Sequence, residues 1–74
     1  MKKIYSYQTR LGPFYIAYDG RDFFAMYEDE NLGCYGRPEQ AAEDLAGGAT
    51  YWPSIGNTVL LGIPEDLSEW KRLT

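Results

Sequence analysis

Hydrophobic and polar positions alternate along the first half of the chain and then give way to a helical spacing. From Ile4 to Thr9, Tyr5 and Tyr7 fall on one side and Ser6 and Gln8 on the other, the period of two that marks a half-buried strand. Leu11-Gly12-Pro13 interrupts the pattern. Phe14 to Tyr18 predicts a second strand, with Phe14, Ile16 and Tyr18 on one face and Tyr15 and Ala17 on the other. Asp19-Gly20 is a two-residue hairpin signal, because both positions of such a turn need positive φ. Phe23 to Glu28 predicts a third strand, with either Phe23, Ala25 and Tyr27 or Phe24 and Met26 facing inward. Glu28-Asp29-Glu30-Asn31 reads as a polar turn, and Leu32 to Tyr35 as a short fourth strand.

Beyond Gly36 the period lengthens. Pro38 suits a first helical position, where its missing N–H is not needed, and Glu39 sits near the positive end of the helix dipole. Ala41, Ala42 and Leu45 make an apolar stripe at helical spacing, and Gly47-Gly48 ends the helix with one glycine left-handed. Residues 49–62 have no clear period; Thr50-Tyr51-Trp52 and Thr58 to Leu61 are candidate extended pieces. Pro64 to Arg72 reads as a short helix with Leu67 and Trp70 inward. The elements together predict an α+β fold: an antiparallel three- to four-stranded sheet packed against one main helix, with a short C-terminal helix, in one domain spanning residues 1–74.

Composition narrows the chemistry. A chain of 74 residues sits near the size below which a core needs covalent or metal staples. Cys34 is the single cysteine and there is no histidine, so an intramolecular disulfide, a structural zinc site and His-dependent nucleophilic catalysis are all excluded. The acidic run at 28–31 lacks the alternating ligands and distal glutamate of a calcium loop. The expectation is a non-catalytic protein with no metal and no cofactor. The longest aliphatic run, Val59-Leu60-Leu61, is far short of the ~20 residues that span a bilayer. Met1-Lys2-Lys3 is followed by no apolar stretch, so no membrane partner and a cytoplasmic location are expected.

Charge is unevenly spread. The net charge is −4, yet residues 19–69 hold all eleven acids against two arginines, a local −9. Non-specific nucleic-acid binding runs on basic charge, so direct contact with nucleic acid is not expected. An acidic body instead favours basic protein surfaces, or serves solubility alone. Candidate partner-binding residues are the helix face Glu39, Glu43 and Asp44, the turn Glu28, Asp29 and Glu30, and the loop aromatics Tyr51 and Trp52. The like charges of Glu39 and Glu43, four apart, have no lysine or arginine on the helix body to relieve them. Loop aromatics are frequent interface anchors, but in a small domain they also fold back as a lid.

These motifs carry two resemblances, and the chain's size and charge carry a third. Strands leading through Leu32-Gly33-Cys34-Tyr35 into Pro38-Glu39-Gln40-Ala41-Ala42 resemble the three-stranded-sheet-plus-helix DNA-binding domains of the AP2 and integrase-arm type. That resemblance implies the architecture. The strands here offer Tyr15, Ala17, Phe24 and Met26 where those domains carry DNA-reading arginines and tryptophans, so it does not imply their function. Over most of the chain, residues 27–35, Asp44-Leu45-Ala46-Gly47-Gly48 and residues 61–70 resemble a family of short, uncharacterised proteobacterial proteins. In size and charge the chain also resembles phage inhibitors of bacterial immunity, including anti-CRISPR proteins of the type I class. That resemblance implies a partner surface that is basic and binds nucleic acid, on a CRISPR effector complex; the chain itself is expected to be a monomer. The alternative is a host regulatory or adaptor domain that binds a protein through Tyr51 and Trp52, and a third reading, ranked below it, is an AP2-like DNA-binding domain.

Overall fold

A computed structural model of the chain describes residues 1–50 and 56–74. Five strands among them form one antiparallel sheet: β1 (Lys2–Thr9), β2 (Gly12–Tyr18), β3 (Phe23–Tyr27), β4 (Glu30–Tyr35) and β5 (Lys71–Arg72). Their order is β4-β3-β2-β1-β5, a meander with the last strand laid against the first. One helix, α1 (Pro38–Gly47), packs across one face over β2, β3 and β4. The α+β architecture therefore holds, with one strand more than the sequence predicts.

Register decides which face is the core. Phe14 lies opposite Tyr27 and Ile16 opposite Ala25, and all four are buried. Of the two alternatives for β3, the set with Ala25 and Tyr27 faces inward, while Phe24 and Met26 lie on the other face with Tyr15. The Phe14 and Tyr27 rings meet 4.8 Å apart, a tilted pair, and the Tyr27 hydroxyl donates to the Leu11 carbonyl at 2.9 Å. From the helix, Ala41, Ala42 and Leu45 are fully buried; two alanines side by side let the helix approach the sheet closely. Leu32, Ile63 and Trp70 complete the cluster.

The helix ends as its glycines predict. Gly48 takes the left-handed conformation (φ 72°), and its N–H and that of Ala49 return to the carbonyls of Leu45 and Asp44. The following turn is tied back to the same place, because the buried Thr58 hydroxyl donates to the Leu45 carbonyl at 2.6 Å.

Three expectations are corrected. Pro64 to Arg72 is not a helix: Asp66 caps a single 3₁₀ turn over Leu67–Glu69, and Trp70 is already extended. The indole N–H of Trp70 donates to the Pro64 carbonyl at 2.9 Å, and Lys71 and Arg72 then pair with Ser6 and Tyr5 as β5. The open backbone of β1 offers those residues ladder bonds that an isolated two-turn helix would lack at its ends. Thr58–Leu61 is likewise a 3₁₀ turn rather than an extended piece, started by Asn57 and stopped by left-handed Gly62. Finally, Asp19-Gly20 does not close a two-residue hairpin. Asp19 Oδ1 accepts from the backbone N–H groups of both Arg21 and Asp22, which makes a four-residue turn in which Gly20 alone has positive φ.

Candidate functional site

The strand order converts a charge asymmetry along the chain into one across the molecule. The β4 edge and α1 gather Asp19, Asp22, Glu28, Asp29, Glu30, Glu39, Glu43 and Asp44, with Arg21 and Arg37 among them. The opposite edge, β1 and β5, gathers Lys2, Lys3, Lys71 and Arg72, with Arg10 in the turn that follows β1. Only Glu65, Asp66 and Glu69 stay with the basic side, on the approach to β5.

Each acidic stretch is held by a local device. Glu28 and Asp29 form the two-residue connection between paired Tyr27 and Glu30; Glu28 has φ 52°, and both side chains are exposed. Glu30 opens β4 and is half-buried. At the other end of β3, Asp19 accepts two backbone N–H bonds, from Asp22 and Arg21, and these hold its carboxyl below the ordinary aspartate range. Glu39 and Glu43 are exposed on the outer face of α1. Asp44 differs from them. It is half-buried and accepts a hydrogen bond from the Tyr35 hydroxyl. Burial first, and Asp44 second, push the Tyr35 phenol far above its usual titration range.

Of the residues singled out from sequence, then, Glu28, Asp29, Glu39 and Glu43 are exposed carboxylates, whereas Asp44 also fastens the helix to β4 through Tyr35. The two acidic turns lie at opposite ends of β3 and form no single patch. Tyr51 and Trp52 fall outside the described residues.

Between the two turns lies a feature that no sequence motif announces. Leu32, Gly33, Cys34 and Tyr35 of β4, with Ala49 and Thr50 after the helix, line an open groove of about 460 Å³. The Tyr35 ring lies so close over Gly33 that a side chain there would meet it at 2.8 Å. Cys34 is exposed on the edge strand; desolvation, then the charges of Asp22 and Asp19, push its thiol up and keep it protonated. The Leu-Gly-Cys-Tyr run gives a strand, but only the strand order reveals that it is an edge.

The sheet face away from the helix carries half-buried Tyr15, Phe24 and Met26, with the Lys3 ammonium 4.3 Å over the Tyr15 ring. No arginine stands on β2 or β3. No helix among the described residues is long and apolar enough to cross a membrane. No protein-family model, curated protein or solved structure matches the chain.

Proposed function

We propose that this chain is a non-catalytic, acidic binding protein that docks its α1–β4 side on a basic, nucleic-acid-binding surface of another protein and so inhibits it. A bacterial defence complex, such as a type I CRISPR effector, is the partner class that its size and charge favour. The observation that carries this reading is the segregation of charge across the sheet. Eight carboxylates against two arginines on one side, with the other five basic residues withdrawn to the far edge, present a partner with a predominantly negative field despite a modest net charge. Exposed carboxylates on a helix and two turns offer acid at separated points, as a phosphate chain does.

Binding of this kind competes with nucleic acid and weakens steeply with salt, because exposed charges are screened over about 8–10 Å near physiological ionic strength. The test is a competition assay on a purified type I effector complex with its nucleic-acid ligand. The wild-type chain displaces the nucleic acid, and the double variant Glu39→Lys/Glu43→Lys, with an unchanged circular-dichroism spectrum, loses at least tenfold in affinity. Simultaneous binding of the chain and the nucleic acid would falsify the proposal, and so would full activity of the double variant.

A further inference from the structure

At the end of the sheet β4 pairs on one side only, with β3; among the described residues no strand pairs with its other side. Such an edge is a template for another strand. The groove lined by Leu32 to Tyr35 runs along it, and one wall holds a second observation. Thr50 is 8% exposed, its Oγ1 is shut off from solvent, and that hydroxyl has no hydrogen-bond partner. Native folds leave few buried polar groups unpaired, and those that remain call for a reason. An edge with unpaired backbone and a sheltered, unpartnered hydroxyl beside it is suited to an incoming main chain.

Charge says what kind of chain. The Asp19–Asp22 turn stands at the Tyr35 end of β4 and the Glu28–Asp29 turn at the other, separated by the five residues of β3. Five residues of strand span about 17 Å. Negative charge reaches the edge itself, since Asp22 and Asp19 both act on the Cys34 thiol. The edge is not uniformly open. Asn31 Oδ1 already accepts from the Gly33 N–H, and the register slips between Ala25 and Met26, leaving Leu32 without an opposite residue. A bulge of this kind, with the Gly33 N–H occupied, blunts the part of the edge nearest the turn, which leaves Cys34 and Tyr35 for pairing.

We infer that the β4 edge is a strand-addition site: an extended, basic segment of a partner protein pairs with Cys34–Tyr35 through its main chain and satisfies the Thr50 hydroxyl. Its lysines or arginines, about five residues apart, reach the two acidic turns. The inference rests on the acidic-docking reading and names the form that one contact takes.

The probe is a nine-residue peptide, Lys-Lys-Val-Thr-Val-Thr-Val-Lys-Lys, compared with the same peptide N-methylated at its valines and threonines, so that both strand edges are blocked, by fluorescence anisotropy at low salt. Both carry the same charge, but the second cannot donate main-chain hydrogen bonds from those positions. The expected result is at least tenfold weaker binding of the methylated peptide, with slowed amide exchange at residues 34 and 35 only for the unmethylated one. Thr50→Val should raise the thermal midpoint of the free protein, because an unpaired hydroxyl is gone, and weaken binding of the unmethylated peptide roughly two- to tenfold. Equal binding of the two peptides overturns strand addition while leaving electrostatic docking in place. Binding by neither peptide overturns it as well, and the helix double variant still tests the docking reading separately. A Thr50→Val protein that binds like wild type removes the hydroxyl from the site.

Discussion

Replacing Gly48 with alanine tests whether two neighbouring caps depend on one another. Gly48 closes α1 in the left-handed region at φ 72°, where a β-carbon costs about 1–2 kcal/mol. A Cβ there would also run into Asn57 Oδ1. That oxygen starts the next element by accepting from the Val59 N–H at 3.0 Å. Asn57 can swing away, but the swing forfeits its cap, a loss of about 1 kcal/mol. Gly48→Ala should therefore destabilise by about 2–3 kcal/mol in total, a large share of the ~3–5 kcal/mol that a core of this size supplies. At 4–8 °C per kcal/mol, that is a fall in Tm of roughly 8–24 °C. Asn57→Ala alone should cost about 1 kcal/mol. The double variant should be no less stable than Gly48→Ala, since the cap is lost in either case. The single costs thus overshoot the double by about 1 kcal/mol, well above the ~0.3–0.5 kcal/mol within which independent sites add. Urea denaturation of the four proteins reads the cycle. Strict additivity would refute the shared contact, and an unperturbed Gly48→Ala would refute the left-handed cap.

Tyr35 and Trp70 anchor the two ends of the sheet, and each gives a measurable outcome. The Tyr35 phenol titrates higher in the folded chain than in the unfolded one, so its contribution is complete below about pH 10 and is lost as pH climbs beyond that; Tyr35→Phe should cost about 1 kcal/mol near neutrality and lose less stability than wild type between neutral and alkaline urea melts. Trp70→Phe gives up the indole bond to the Pro64 carbonyl and part of the contact with Tyr7, whose ring lies 5.8 Å away; it should cost about 2–3 kcal/mol and speed amide exchange at Leu73, whose N–H donates to Ile4 on β1.

Local chemistry accounts for which elements could be read from the sequence. The strands β1 and β2 and the Pro38 and Gly48 boundaries of α1 are written in adjacent residues, and they stand in the structure as expected. What failed depends on partners far along the chain. Lys71 and Arg72 look like a helix end, because their charges suit one, until β1 supplies an edge some 65 residues earlier. The inward face of β3 stayed open because both of its faces are apolar, and only the pairing with β2 and the arrival of Ala41 and Ala42 choose between them. The candidate carboxylates were visible as a charge run. Their division from the basic residues was not, since it comes from β5 crossing back to lie beside β1. Thr50 carries no signature at all; its meaning lies in being enclosed without a partner.

The opposed charged edges of the sheet have a consequence for motion before contact. A body with acid on one side and base on the opposite edge is an electric dipole directed across the strands, with its negative end on the β4 and α1 side. In the field of a cationic surface it feels a torque as well as a pull, and it turns that side forward while still diffusing. Association is ordinarily slowed by the many wrong orientations in which two proteins collide. A molecule that rotates into register on approach discards most of them, so its encounter rate should exceed that of a chain of equal net charge whose acids are spread evenly.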